Sequence, residues 1–201
     1  METLPLAFSS GWASGVNAYL VVLVLGIADR VGGYPQVPDV LARWDVLTVA
    51  GVLYAMEFVA DKIPYVDSTW DAVSTFTRPT AGAIIGAMLA GNVPSDTSLD
   101  QVALGAVGGG TALLSHLTKA GIRLAVNTSP EPASNIVVST LEDLSVLGVV
   151  ALAIGHPRTA AGIAAVLLAL GLVLLFLAAR LVRRGWRRWK ARRTPPVGAA
   201  P

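Results

Sequence analysis

The chain has 201 residues, 54% of them hydrophobic and 14% charged, with a formal net charge of +2 and no cysteine. A soluble domain carries about 25% charged residues, so this balance points to one membrane-embedded domain. The lack of cysteine excludes disulfides, thiolate metal sites and cysteine nucleophiles.

The opening, METLPLAFSSGWASGVNAYL, lacks the Lys/Arg cluster of a secretory signal and reads as a retained first helix. A spanning helix needs about 20 mostly apolar residues. The first candidate covers residues 5–28, with Pro5 suited to a first helical turn. Gly11 and Gly15 form a small-xxx-small pair for close helix approach, Asn17 interrupts the first half, and Asp29, Arg30, Gly32 and Gly33 end it. YPQVPD is a loop. The second candidate covers residues 44–63, stopped by Pro64, with Trp44 and Tyr65 at opposite interfaces. Glu57 and Asp61 lie four residues apart and share a face with Tyr54. An amphipathic piece with Trp70 and Phe76 leads into a third apolar run, 79–91. Its length of about 20 Å is short against a hydrocarbon core of about 30 Å. It therefore either extends back through Trp70 and Arg78 or is broken or re-entrant.

The fourth candidate, 101–126, starts glycine-rich and ends with His116, Lys119 and Arg123 at i, i+3 and i+7, a cationic stripe on one face. NTSPEPASN reads as a turn whose Ser134 or Asn135 caps the next helix. The fifth candidate, 136–155, carries Glu142 and Asp143. The sixth, 159–182, is the cleanest span and flows into RLVRRGWRRWKARR. Residues 1–182 thus form a transmembrane helical domain, and 183–201 a basic cytoplasmic tail with a disordered end.

Six spans with both termini cytoplasmic put 12 Lys/Arg inside, from Lys62 through the C-terminal arginines, against Arg30, Arg43 and Arg158 outside. That satisfies the positive-inside rule for an inner-membrane, multi-pass protein. Five or seven spans would put the N-terminus outside. A weak repeat pairs RPTAGAIIGAMLA with PRTAAGIAAVLLA, and SGVNAYL with GGGTALL. Three helices per repeat would make the halves inverted, an arrangement used by transporters.

EFVADKIPYVDSTWDAVSTFTRPTAGA, SGVNAY and SPEPASNIVVSTLED resemble the bacterial integral-membrane family catalogued as domain of unknown function 4126, over roughly residues 5–155. The resemblance implies a small multi-spanning protein and supplies no activity or site residues.

The chemistry therefore rests on charged residues in apolar surroundings. A charge at the bilayer centre costs about 2.5–3.5 kcal/mol on insertion scales, so it faces a bundle interior or a water cavity. Glu57, Asp61, Glu142 and Asp143 supply carboxylates. His116, Lys119, Arg123 and Arg78 supply the facing cations, and Asn17 with its glycines serves either substrate or packing. One reading is a transporter or lipid-translocating protein of an unidentified small molecule or lipid, with Glu57 and Glu142 proton-linked and the stripe meeting an anionic group. Another is a scaffold whose charges only lock the bundle. A third, a membrane-embedded lipid enzyme, needs acid and cation converging on one point beside a cavity open to lipid. Enzyme signals are weak. HExxH, GxSxG and GxxxxGK[ST] are absent, an aspartyl-protease pair would need Asp61 facing Asp143, and Asp67 or Ser68 in DSTWD reads as a helix cap. No cofactor or metal is implied. The basic tail with Trp186 and Trp189 suits anionic lipid headgroups rather than nucleic acid, and the small-residue faces allow a homodimer.

Overall fold

The computed structural model describes residues 2–63, 65–91, 98–127 and 132–193. Pro64, residues 92–97 with Asp96, residues 128–131 of the expected NTSPEPASN turn and the expected disordered end from 194 lie outside the described residues, as do the side chains of Pro132, Arg188, Trp189, Lys190, Ala191, Arg192 and Arg193. Every regular element among the described residues is a helix: α1 (Thr3–Gly32), a 3-10 turn (Asp39–Ala42), α2 (Trp44–Ala60), α3 (Val66–Gly91), α4 (Ser98–Val126), α5 (Pro132–Gly155) and α6 (Pro157–Arg193). Three segments, Thr3–Gly32, Ala133–Gly155 and Pro157–Arg184, are long and apolar enough to cross a membrane by length and composition. α6 exposes Leu170, Val173, Leu174, Phe176 and Leu177, an apolar belt suited to lipid.

α1 is not a straight span. Asn17 leaves helical geometry, at φ −152° and ψ 94°, and its side-chain Oδ1 accepts the backbone N–H of Leu20 at 3.0 Å. Asn17 thus caps a second half-helix inside what looks like one apolar run. The first half runs parallel to α4, since Thr111 donates to Phe8 O, Ser115 to Trp12 O and Lys119 to Val16 O, each pair 103 residues apart. Continued straight, α1 would carry Gly32 past the end of α4. Instead Pro35 and Pro38 line a cavity with Gly91 and Gln101, where α3 ends and α4 begins. Glu2 Oε1 lies 3.3 Å from Arg158 Nη2, and Gln36 Nε2 donates to Ile154 O at 3.0 Å, so both ends of α1 meet the same α5–α6 junction. The chain folds back at Asn17 into a hairpin of two half-helices, residues 3–16 and 18–32.

The remaining helices alternate in direction. α2 descends beside the second half-helix, with Gly26 against Leu47 and Gly51 against Leu23. α3 and α4 form a tight antiparallel hairpin in which a Cβ on Gly82 or Gly108 would run into the other helix's backbone carbonyl. A Cβ on Gly11 or Gly15 would likewise strike α4 at Gly108 or Ala112, so the Gly11/Gly15 pair serves packing. Pro79 sits inside a continuous 26-residue α3, which extends back past Arg78 to Val66. The element that doubles back is α1, and the 79–91 run is part of a continuous helix.

Three expectations are corrected by this geometry. The 5–28 segment does not cross the bundle once. Glu2, beside Arg158 at the start of α6, lies at the opposite end of the bundle from Arg193 at the end of α6, which does not fit an N-terminal and a C-terminal segment on one side. α1 and α4 are not inverted counterparts, because one is broken and doubled back and its first half runs parallel to the other. The positive-inside count is indifferent to this change, since no Lys or Arg precedes Arg30. α5 also starts at Pro132, earlier than expected, which puts Ser134 and Asn135 inside its first turn rather than at its cap.

The hairpin predicts a labelling pattern. The cysteine-free chain permits single-cysteine variants: Glu2→Cys and Gln36→Cys should react with an impermeant maleimide from the same face of sealed vesicles, and Arg184→Cys from the other. Labelling of Glu2→Cys and Arg184→Cys from one face would refute the doubled-back α1.

Candidate functional site

Residues 67, 71, 74 and 78 repeat at i, i+4, i+7 and i+11, so α3 presents Asp67, Asp71, Ser74 and Arg78 on one face, and all four are buried. α4 answers with buried His116, Lys119 and Arg123, followed by Asn127 just past its end. α2 adds Glu57 and, at its C-terminal cap, Asp61. α5 contributes Asn135, Ser139, Glu142 and Asp143. These faces close on the tip of the α1 hairpin.

A continuous ion network results. Arg78 Nη2 donates to Glu57 Oε1 at 2.7 Å, and Arg78 Nη1 lies 2.9 Å from Asp71 Oδ1 at an angle poor for a hydrogen bond. Lys119 Nζ donates to Asp61 Oδ2 at 2.8 Å, with Glu142 Oε2 at 3.5 Å and Glu57 Oε1 at 3.7 Å. Arg123 reaches Asp61 Oδ2 (3.2 Å), the Asp61 carbonyl (2.7 Å), Asp67 Oδ2 (3.4 Å) and Glu142 Oε2. Asn127 and Asn135 complete the Asp67 carboxylate, with Asn127 Nδ2 at 2.9 Å from Oδ1 and Asn135 Nδ2 at 3.3 Å from Oδ2. His116 Nδ1 lies 2.9 Å from Arg78 Nη1, and an arginine can only donate, so Nδ1 accepts and the ring's N–H is on Nε2. That N–H faces Thr75 Oγ1 at 3.1 Å.

The hairpin tip is where the network meets backbone. Lys119 Nζ donates to Val16 O at 3.0 Å and Arg78 Nη1 to Gly15 O at 3.5 Å, placing two cations at the C-terminal end of the first half-helix. Asn17 Nδ2 donates to Asp143 Oδ1 at 3.0 Å, placing a carboxylate at the N-terminal end of the second. Both arrangements match the sign of the helix dipole.

The network is unbalanced. Arg78, Lys119 and Arg123 are its three cations, against the five carboxyls of Glu57, Asp61, Asp67, Asp71 and Glu142. At the edge, half-buried Lys62 donates to Ser139 Oγ at 3.2 Å and faces Asp143, which leaves the imbalance unchanged. Glu57 Oε2, Asp61 Oδ1 and both Asp71 oxygens are buried without a hydrogen-bond donor. No group of metal-ligating side chains fit to hold an ion occurs among the described residues.

Glu57, Asp61, Arg78, His116, Lys119, Arg123 and Glu142, expected from the sequence, therefore meet in one cluster, with Asn17 and Asp143 at its margin. The expectation that the cationic stripe faces an anionic group meets a different arrangement, because the protein's own carboxylates take these cations. Asp61 and Asp143 do not face each other as a pair; Asp61 is held by Lys119 and Arg123, Asp143 by Asn17. Asp67 is more than a cap. It accepts the Ser68 N–H at 2.6 Å, yet it is fully buried under Asn127, Asn135 and Arg123. Three further residues belong to the cluster: Asp71, an acid of DSTWD, Asn135, expected only as a helix cap, and Asn127, which the sequence does not single out. The four-residue polar periodicity of α3 carries the signal for Asp71, whereas nothing local marks the two asparagines.

A family model described as a domain of unknown function (DUF4126) matches residues 4–177. Nothing matches among the curated proteins or among the solved structures.

The carboxyl excess gives substitutions a sign. Removing a cation, as in Arg78→Met or Lys119→Met, worsens the imbalance and should cost about 3–5 kcal/mol of stability, the range for a broken buried pair. Asp71→Asn relieves it and should cost clearly less. Thermal unfolding in detergent measures the ranking, and equal losses for Arg78→Met and Asp71→Asn would contradict the imbalance.

Proposed function

We propose that this chain, which belongs to the family of domain of unknown function 4126, is a small multi-pass membrane translocator whose buried carboxyl cluster takes up and releases protons. Five helices cross the bilayer and α1 enters and leaves on the outer side, with the C-terminal arginines in the cytoplasm against anionic lipid.

The single observation behind this reading is the five-to-three carboxyl excess beneath the broken helix. A buried cluster two negative charges out of balance is costly in a low-dielectric interior, so it holds protons or an external positive charge. Discontinuous helices with charged groups at their half-helix ends are the recurring way that transporters build a site at membrane depth. The network leads from Asn127 and Asn135, at the cytoplasmic end of α4, to His116, about 15 Å further in at 1.5 Å per residue. A proton entering from that side has carboxyl and imidazole groups along the whole distance.

One observation favours the scaffold reading: Lys119 and the terminal nitrogens of Arg78 and Arg123 are all spent on internal partners. On that view the charges only brace the broken backbone of α1.

Infrared spectroscopy of the purified full chain separates the two. The translocator should show the carbonyl band of a neutral carboxylic acid at neutral pH, and Glu57→Gln should remove or shift that band while leaving the fold intact. A chain with all carboxyls ionised across the neutral range would leave the scaffold reading in place.

A further inference from the structure

A cavity of about 150 Å³ lies between α1, α4, α5 and α6, beside the network. Its wall includes Trp12, Ser115, Thr118, Lys119, Glu142 and Ser145 within otherwise aliphatic surroundings. Every hydrogen-bond donor among the hydroxyls is already committed. Ser115 donates to Trp12 O at 2.7 Å, Thr118 to Leu114 O at 2.8 Å and Ser145 to Glu142 O at 2.7 Å. The Lys119 ammonium is spent on Val16 O and Asp61. Apart from the Trp12 indole N–H, what the wall offers an occupant is therefore oxygen lone pairs. It also offers Glu142, whose side chain is 17% exposed while the other four network carboxyls are at 0–3%. Glu142 is the door of the network onto this cavity.

An occupant here must bring N–H donors and positive charge, and its charge would offset the carboxyl excess. An anion would find no free cation and no uncommitted hydroxyl donor, only the indole N–H of Trp12. The aliphatic lining and Trp12 favour an organic cation over a bare metal ion. The volume is about that of a cavity that admits benzene, so it suits a group of a few heavy atoms. We infer that this cavity is the recognition site for a small organic cation bearing N–H groups, of the alkylammonium or guanidinium class, held by Glu142 and the hydroxyl oxygens of Ser115, Thr118 and Ser145. The inference rests on the translocator reading and specifies its substrate class, with the bound cation standing in for protons released by the network.

The test is calorimetric binding to the purified full chain, using propylammonium and guanidinium chlorides, with tetramethylammonium, sodium, acetate and phosphate as comparisons. Propylammonium or guanidinium should bind saturably. Tetramethylammonium, which lacks N–H groups, should bind at least about tenfold more weakly, and the two anions not at all. Acidification should weaken binding, because protons compete for the same carboxyls. Ser145→Phe, which fills the cavity without touching a charge, should abolish binding, and Glu142→Gln should weaken it by about tenfold or more. The inference is overturned by binding of acetate or phosphate, by sodium or tetramethylammonium binding as tightly as the N–H cations, or by undiminished binding in a folded Ser145→Phe protein. Absence of cation binding together with a neutral-acid infrared band would overturn this inference and leave the translocator reading standing. Absence of both would remove the two together.

Discussion

Backbone carbonyls cannot be left unpaired where water is excluded, and the structure is arranged around one place where a helix fails to pair its own. At Asn17 the α1 ladder stops, and the carbonyls of Gly15 and Val16 lose their helical partners. Irregular backbone that is buried away from water is tolerated only where protein groups satisfy it. Here Lys119 and Arg78 supply the donors, and Asn17 caps the helix that restarts. Those cations are then themselves buried charges, which require carboxylates. The ion network follows from the break by a chain of electrostatic necessity, and α2, α3 and α5 each bring acids to the same point.

Necessity accounts for fewer carboxyls than are present. Three would neutralise the three cations, and the network contains five. A cluster built only for rigidity gains nothing from two uncompensated acids in a low-dielectric interior. The surplus is the observation on which a role beyond support is proposed, and it sets the sign of the charge that would balance it. Its cations face inward to acids and its spare groups are acceptors, so positive charge is the missing component.

Close packing makes the arrangement possible. The first half of α1 lies against α4 through Gly11 and Gly15, and α3 lies against α4 through Gly82, Gly86 and Gly108, with no room for a Cβ at these contacts. Three backbones this near one another let Arg78 and Lys119, on different helices, touch consecutive carbonyls of a third. A methyl group at Gly15 would push α1 from α4 and leave Val16 O without Lys119, so the glycines serve the network as well as the packing.

Much of this was legible in the residues. Composition, the long apolar runs of α5 and α6, and the charged face of α4 follow from hydropathy and helical period, which are local properties. So did the convergence of Glu57 with Arg78 and the α4 stripe, because charges among apolar helices have nowhere else to go. The fold-back of α1 was not legible: its 30 residues are mostly apolar, and whether such a segment crosses or doubles back depends on which partners meet it at Asn17. Those partners, Asp143, Lys119 and Arg78, lie 126, 102 and 61 residues away in sequence. The topology rule could not help either, since no Lys or Arg precedes Arg30 to report on which side the N-terminus lies. The surplus of acids likewise emerges only when side chains from four helices are counted at one point in space, because pairing is a property of distance and not of order along the chain.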